Sequence, residues 1–188
     1  MKKVSITLLV VSIVLFLSGC SVLEQTKTLT QCSYNLTGIS NVKIAGVSLD
    51  KVTDVSQLNL MDAAKIVAAI ASKTAQISFD ANVAVKNPTV NTATINKLDW
   101  KILLEGNEIL EGTKTTPTII TGNGTTNATI NASVDAVKLL NKNTLDDVIN
   151  LYKSIKGTSN TKSNISVKVK PTINNYTAPA YITINSSI

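Results

Sequence analysis

Residues 77–112 of this chain read ISFDANVAVKNPTVNTATINKLDWKILLEGNEILEG, and this stretch indicates three consecutive β-strands. In its first part, apolar and polar side chains alternate with a period of two, the pattern of a strand with one buried face. The apolar members of this alternation are Ile77, Phe79, Ala81, Val83 and Val85. Pro88 has no N–H group to contribute to a sheet and favours an extended Asn87 before it. Asn87-Pro88 therefore predicts the end of the strand and the start of a turn.

The second strand of the stretch places four apolar side chains on one face: Leu98, Trp100, Ile102 and Leu104. Because Trp100 shares a face with the other three, we expect it in the core rather than against a ligand. Ile95 is out of phase with them, which predicts a bulge or kink near Asn96-Lys97. Residues 105–108 separate two apolar runs and predict a tight hairpin turn at Gly106. A third strand then runs over residues 109–115 and pairs back.

Taken in order, these features resemble the late embryogenesis abundant (LEA) type 2 domain, also called the water-stress and hypersensitive-response (WHy) domain. The resemblance rests on a strand ending in V-x-N-P, a strand of the L-x-W-x-I type, a G-N hairpin and a strand closing on E-G. The matching residues are Val83, Val85, Asn87, Pro88, Leu98, Trp100, Ile102, Gly106, Asn107 and Gly112. The resemblance is clearest over residues 76–134. It implies an immunoglobulin-like or fibronectin-like sandwich and a binding or protective activity, with no catalytic residues to carry over.

Further strands are expected on both sides of this stretch. Residues 33–49 predict one long strand with a break, or two short strands. Residues 126–134 alternate again between apolar and polar side chains. Residues 165–169 predict another strand, which we expect Pro171 to break, and residues 181–184 suggest a last strand.

Two helices are also expected. The first covers residues 62–73, with Asp62 as its N-cap and Met61 packed against Ile66 as a hydrophobic staple. The second covers residues 144–156. The apolar stripe of the first helix consists of Ile66, Val67 and Ile70, with Ala63 and Ala71. Strands at short intervals with such helices predict a mainly β chain, an antiparallel immunoglobulin/fibronectin-like β-sandwich with one or two flanking helices.

The N-terminus carries the pattern of an export signal. Lys2 and Lys3 precede an apolar run at 4–17, which is too short for a comfortable membrane span. The run ends in Leu17-Ser18-Gly19-Cys20, which resembles the lipobox of bacterial-type lipoproteins. The resemblance implies cleavage before Cys20, a diacylglycerol group on its sulfur and a fatty acid such as palmitate on the new amino terminus. Two or three acyl chains anchor a protein stably. The alternative is an ordinary secretory signal in which the cysteine occurs by chance.

These features divide the chain into a signal peptide at 1–19, a lipidated Cys20 with a short tether at 20–32, and a sandwich domain at 33–188. The expected location is the cell envelope of a prokaryote, at the outer membrane or cell surface, with the membrane as partner through the lipid. Cys32 then has no second cysteine to pair with inside the chain. We expect a small, buried apolar side chain there, and an intermolecular disulfide is the alternative.

Composition disfavours several kinds of chemistry. The chain has no histidine, the commonest general base and metal ligand, so neither a metal site nor a cofactor is expected. Removal of Lys2 and Lys3 lowers the basic residues from 18 to 16, against 12 acidic ones. The mature net charge of about +4 is scattered along the chain, which disfavours nucleic-acid binding. Asp80, Asp99 and Glu105 are the carboxylates considered for catalysis, and we expect them to be solvated.

Two classes of function fit the sequence. The first is a non-enzymatic, membrane-anchored protein that protects the envelope or client proteins under stress or desiccation, or that serves as a surface interaction module. The second is a lipid-binding or lipid-transfer module that uses an apolar groove of the sandwich. An apolar cavity in the structure would favour the second class and a filled core the first. An enzyme is a distant third possibility.

Lipidation of Cys20 gives a first testable prediction. Cys20→Ser removes the sulfur that carries the diacylglycerol, so we expect the protein to leave the membrane fraction or to remain as an uncleaved precursor. Labelling with palmitate, followed by membrane fractionation and gel analysis, measures both outcomes. Cys32→Ser is the matched control and should keep the label. A Cys20→Ser variant that still runs as a membrane-bound, labelled mature form would contradict the lipobox.

Overall fold

The computed structural model describes residues 27–52, 54–104, 106–140, 145–156, 165–173 and 176–185. Its two longer helices are α1 (Leu60–Ala71) and α2 (Leu145–Lys156), and residues 27–31 are helical. Cys20, Glu105 and Thr144 lie outside the described residues. The strands are β1 (Ser33–Ile44), β2 (Val47–Ser48), β3 (Gln76–Lys86), β4 (Ala93–Ile95), β5 (Lys97–Leu104), β6 (Asn107–Lys114), β7 (Thr118–Ile120), β8 (Thr125–Asp135), β9 (Ile165–Ile173), β10 (Tyr176–Thr177) and β11 (Ile182–Asn185).

The strands form two antiparallel sheets. The first has the order β2-β1-β3-β8, and the second has the order β10-β9-β5-β6, with β11 also paired to β9. A separate two-stranded ribbon joins β4 to β7. Buried side chains from both sheets and both helices form one hydrophobic core. This arrangement confirms the predicted mainly β, antiparallel sandwich with flanking helices.

β3 is the central strand of the first sheet and matches the alternating run predicted at residues 77–85. It pairs antiparallel with β8 over its whole length and with β1 along its other edge. The five side chains predicted to point inward are each at most 1% exposed. β3 ends at Lys86, directly before Asn87-Pro88.

The predicted strand at residues 33–49 is divided between β1 and β2. The pairing of β1 with β3 skips Thr37, between Leu36 and Gly38, which is the expected break. A turn at Ala45-Gly46 then reverses the chain into β2. The φ of Gly46 is 79°, in the left-handed region that glycine adopts without steric cost.

The β5–β6 hairpin lies where the sequence predicts it. Leu104 pairs with Asn107, so the turn has two residues, and the φ of its Gly106 is 83°. Trp100 pairs with Gly112 of the edge strand β6. The Trp100 ring lies over Gly112 so closely that a methyl group there would overlap it. Trp100 is 7% exposed and belongs to the core, as predicted.

The predicted kink near Asn96-Lys97 separates two strands that belong to different sheets. Ile95 ends β4, which pairs with β7, and Lys97 begins β5 in the second sheet. Between them, the Asn96 N–H donates to the Thr172 carbonyl over 2.9 Å. The out-of-phase Ile95 is nevertheless buried, because β4 turns its own apolar face toward the core.

The predicted start of the first helix is wrong. α1 begins at Leu60, and its N-cap is Asn59, whose Oδ1 accepts from the Asp62 N–H over 2.9 Å. Asp62 is instead the third helical residue, where its carboxylate accepts from Asn59 Nδ2 over 2.7 Å. Met61 is 73% exposed, so the predicted hydrophobic staple does not form.

The apolar stripe of α1 is narrower than the sequence suggests. Ile66 and Ile70 are buried, but Val67 is 48% exposed. α2 has the broader apolar face and packs on β1 and α1. Its buried side chains are Val148, Ile149, Leu151, Tyr152 and Ile155.

Pro171 lies inside β9, so the prediction that it breaks the strand is wrong. The Pro171 carbonyl accepts from the Ala178 N–H over 2.9 Å. The nitrogen and carbonyl of one strand residue point to the same side, so the Pro171 nitrogen also faces the side of β10 and β11. Along that side, β10 pairs with residues 172–173 and β11 with residues 166–169. Pro171 falls between them, where neither strand needs an N–H donor.

The sandwich has two different ends. At one end β1 begins and β3 stops, because Ser33 pairs with Lys86. β9 stops at the same end, since Tyr34 of β1 and Ile173 of β9 line one groove. At the opposite end, α1 leads into β3. We call them the tether end and the helix end.

The contact between Trp100 and Gly112 gives a prediction about stability. Gly112→Ala places a methyl group where the Trp100 ring lies, so the ring or β6 must move. We expect a loss of about 1–3 kcal/mol in the free energy of unfolding, measured by urea denaturation. Glu111→Ala in the same strand is the control and should change stability by about 0.5 kcal/mol or less, because Glu111 is largely exposed. Equal losses for the two variants would contradict the close packing.

Candidate functional site

The outer face of the first sheet is polar across three strands. In β3, Asp80 and Asn82 alternate with the buried residues and therefore point away from the core. The strand register sets Asp80 opposite Ser40 of β1 and Asn131 of β8, and it sets Asn82 opposite Thr129. We call this surface the polar face, and it consists of Ser40, Asn41, Asp80, Asn82, Thr129 and Asn131.

Asp80 is held by two neutral amides. Its Oδ2 accepts from Asn41 Nδ2 over 2.7 Å, and its Oδ1 accepts from Asn131 Nδ2 over 2.6 Å. The φ of Asn41 is 54°, a backbone conformation that asparagine adopts more readily than most residues. The carboxylate is thus fixed in place by hydrogen bonds from both neighbouring strands.

Asn82 extends these hydrogen bonds along the polar face. Its Nδ2 donates to Ser40 Oγ over 2.9 Å, and its Oδ1 accepts from Thr129 Oγ1 over 3.1 Å. Thr37 adds a bond from its hydroxyl to the Asn82 backbone carbonyl over 3.0 Å. Amide and hydroxyl groups both donate and accept, so each retains capacity for further partners. The polar face is therefore a preformed surface of mostly uncharged hydrogen-bonding groups.

The Asn87-Pro88 loop at the tether end is organised by the Asn87 side chain. Asn87 is 1% exposed. Its Oδ1 accepts from the Thr89 N–H over 3.0 Å and from Thr89 Oγ1 over 2.8 Å. Its Nδ2 donates to the Asn91 carbonyl over 2.8 Å. One buried amide thus satisfies both a donor and an acceptor of the loop backbone.

A second loop, at residues 121–124, packs against the first. The Asn87 N–H donates to the Gly124 carbonyl over 2.9 Å, and the Asn123 N–H donates to the Thr89 carbonyl over 2.6 Å. An open, polar depression of about 320 Å³ lies between the two loops. Its lining residues are Lys86, Asn87, Pro88, Asn123, Gly124 and Thr125.

An apolar groove also opens at the tether end. It encloses about 70 Å³, and its lining includes Leu29, Tyr34, Pro171, Ile173, Tyr176 and Ile182. For comparison, an apolar cavity of about 150 Å³ binds a single benzene molecule. The groove is therefore too small in this conformation to enclose an acyl chain. The largest side chains on the inner faces of the sheets, such as Phe79 and Ile102, are fully buried and fill the core.

Tyr34 brings a polar group to this apolar groove. Its hydroxyl oxygen is buried and has no hydrogen-bond partner within the described part of the chain. Burial, with a smaller contribution from the Cys32 thiol, raises the pKa of Tyr34 well above its ordinary value. The hydroxyl therefore stays protonated at every physiological pH and remains a neutral donor.

The two described carboxylates considered for catalysis are far apart in the fold. Asp80 points outward from the first sheet and Asp99 from the second, because Leu98 and Trp100 on either side of Asp99 are buried. Burial alone would raise the pKa of Asp99. The hydrogen bonds from Thr113 and Lys97, with the charges of Lys97 and Lys170, outweigh it and hold that pKa below its ordinary value. The two groups cannot act on one substrate from opposite faces.

The surroundings of Cys32 do not indicate a reactive or metal-binding cysteine. Cys32 is partly buried, its Sγ contacts the Thr28 carbonyl at 3.4 Å, and burial raises the pKa of its thiol, which lowers its reactivity. Cys20 and Glu105 lie outside the described residues. Within the described ranges, no three Cys, Asp or Glu side chains lie close enough together to hold a metal ion. No helix among those same residues is both long and apolar enough to cross a membrane.

Solved structures that resemble this chain include the following two. A crystal structure of a protein from Archaeoglobus fulgidus is 17% identical, with a TM-score of 0.37, over 59% of this chain and 82% of that one. A solution structure of a protein provisionally assigned to the LEA proteins is 15% identical, with a TM-score of 0.39, over 94% of this chain and 79% of that one. Neither the protein-family models nor the curated proteins searched give a match.

Sequence reasoning singled out Asn87, Pro88, Trp100 and Gly106 as structural residues, but it located neither the residues that line the apolar groove nor the polar face. The groove combines residues from the tether, β1 and the last three strands, which no local pattern connects. The sequence does contain a signal for the polar face, because polar residues such as Asn and Thr recur at the outward positions of β3 and β8. That signal became informative only when the register placed those positions side by side.

The hydrogen bonds of Asn87 give a prediction for the loop. Asn87→Ala removes the group that satisfies the Thr89 N–H and the Asn91 carbonyl, so we expect a loss of about 2 kcal/mol in the free energy of unfolding. Pro88→Ala is the adjacent control and should change stability by about 1 kcal/mol or less. Urea denaturation of both variants measures the difference. A loss for Asn87→Ala no larger than that for Pro88→Ala would show that the side chain does not organise the loop.

Proposed function

We propose that this protein is a non-enzymatic, membrane-anchored protective protein of the LEA type 2 kind. It is exported, carries lipid on Cys20 and resides in a prokaryotic cell envelope, at the outer membrane or cell surface. There it protects neighbouring proteins or the envelope under stress or desiccation. The lipobox supports the anchor, and the order of strands and turns over residues 76–134 supports the LEA type 2 resemblance.

The polar face is the observation that carries the protective role. Its amide and hydroxyl groups are held in fixed positions by bonds such as those of Asn82 to Ser40 and Thr129. As water is withdrawn, such groups can replace the hydrogen bonds that water made to the polar surface of a neighbouring protein. Because the face is nearly uncharged, it contacts clients of either charge without strong repulsion.

The lipid-handling alternative has one supporting observation, the apolar groove beside Tyr34. Its volume of about 70 Å³ is about half that of a cavity of roughly 150 Å³ that binds one benzene molecule. A lipid carrier needs a space many times larger, so the groove would have to open considerably. The protective role therefore fits the structure better than acyl-chain transfer.

The placement of the acidic residues supports a function without catalysis. Acid–base pairs in hydrolases act from the two sides of one bond and lie within about 10 Å of each other. Asp80 and Asp99 instead occupy opposite outer faces of the sandwich, each bonded to neighbours on its own sheet.

The proposed function predicts suppression of aggregation by the polar face. The unlipidated mature chain should reduce light scattering from a heated or dried test enzyme at near-stoichiometric ratios and without nucleotide. Thr129→Val with Asn131→Val should lower this effect several-fold, because the outward hydrogen-bonding groups of β8 are lost. The matched control, Ser166→Val with Thr183→Val on the other sheet, should retain it.

Other results would overturn the proposal in distinct ways. Co-purifying acyl chains and lipid transfer between vesicles, without suppression of aggregation, would favour the lipid-handling role. Hydrolysis of a glycan or ester that is lost when Asp80, Asp99 or Glu105 is neutralised would establish an enzyme.

A further inference from the structure

The net positive charge of the mature chain is concentrated at the tether end of the sandwich. The strand ends and connections found there comprise residues 27–36, 84–99, 112–128, 170–173 and 176–181. They contain one acidic residue, Asp99, and five lysines, so they carry a net charge of +4. The rest of the mature chain holds 11 lysines and 11 acidic residues, and one of these acidic residues, Glu24, lies in the tether between Cys20 and Lys27. The five lysines are Lys27, Lys86, Lys97, Lys114 and Lys170.

Most of these lysines are available for an external partner. Only Lys97 forms a salt bridge, to Asp99 over 3.0 Å, and the other four make none with another described residue. Away from the tether end, by contrast, Lys101 is paired with both Glu108 and Glu111 at 2.9 and 3.2 Å. The charge at the tether end is therefore largely uncompensated by the protein itself.

Exposed apolar side chains lie at the same end. Val90 is 78% exposed, Ile119 is 59% exposed and Tyr176 is 43% exposed. Val90 lies in the Asn87-Pro88 loop, Ile119 is in the β4–β7 ribbon, and Tyr176 lines the apolar groove. Apolar and aromatic side chains interspersed with lysine are typical of surfaces that enter the headgroup region of a bilayer.

The proposed anchor would hold this end close to the membrane. Lys27 lies seven positions after Cys20, and a fully extended chain over those seven steps spans at most about 25 Å. The tether then joins β1 at the tether end, so no other part of the sandwich is held as near to the bilayer. A lysine beside an anionic membrane surface strengthens binding about fivefold.

We propose that the tether end docks directly on an anionic lipid bilayer, with its lysines against the headgroups and Val90, Ile119 and Tyr176 in the interface. The docking rests on the proposed anchor at Cys20. The polar depression beside Lys86 faces the headgroups in this orientation. The helix end points away from the membrane.

A depth measurement tests the docking. The full chain, lipidated and reconstituted in vesicles of phosphatidylglycerol that contain brominated lipid, is compared as Val90→Trp and Leu60→Trp. Leu60 is the matched control, because it is an 86% exposed apolar residue on α1. Bromine quenches tryptophan only at short range, so we expect at least threefold stronger quenching of the new tryptophan in Val90→Trp. The native Trp100 is buried and contributes the same background to both variants.

Charge variants test the role of the lysines. Lys86→Gln with Lys114→Gln should lower the ratio of docked to undocked protein by roughly 25-fold, at about fivefold for each lysine. Lys51→Gln with Lys73→Gln, two exposed positions away from the tether end, should leave it unchanged. The chain with all of its lysines should also dock less on vesicles of phosphatidylcholine alone, because these vesicles have no net negative charge.

The outcomes separate the docking from the anchor. A wild-type chain that does not float with the vesicles overturns the anchor and the docking together. A chain that floats, but shows equal quenching at both positions or stronger quenching for Leu60→Trp, overturns the docking alone. Docking that is unaffected by the Lys86 and Lys114 substitutions overturns the electrostatic part of the proposal.

Discussion

The pairing of β3 along both of its edges is the constraint on which the rest of the structure depends. Its register with β1 and β8 buries the inward side chains of all three strands in one core. The same register brings Asp80 and Asn82 within hydrogen-bonding distance of their polar neighbours. A shift of the β3 pairing register by one residue would expose Phe79 and bury Asp80. The same register therefore determines both the core and the polar face.

The edge of the second sheet depends on the contact between Trp100 and Gly112. Gly112 lies on the edge strand β6, where a glycine weakens the strand because it has no side chain to pack. The Trp100 ring covers it and supplies the missing contact, and the register that brings them together results from the Gly106 turn and from a shift in the β5–β6 pairing that skips Ile109. With α1 and α2 on the helix side, the Asn87-Pro88 loop, the loop at residues 121–124 and the tether lie at the other end.

The sequence predicted what depends on local patterns and missed what depends on neighbours. Alternation located β3, and the out-of-phase Ile95 located the change of sheet, because both signals lie within a few residues. The start of α1 was predicted at Asp62, but the N-cap is Asn59, three residues earlier, and the hydrogen bonds between these two side chains and the Asp62 N–H fix it there. Pro171 was misjudged because only the gap between β10 and β11 shows that its nitrogen needs no partner.

The charge asymmetry has a consequence for the polar face. The lysines concerned are spread from Lys27 to Lys170 in sequence and look scattered until antiparallel pairing brings their strand ends together. If that end meets the membrane, the strands of both sheets stand roughly along the membrane normal. The polar face, which lies parallel to those strands, is then turned sideways toward neighbouring proteins instead of down toward the lipid. The end proposed to bind the membrane and the face proposed to contact clients would therefore act at the same time without competing for one surface.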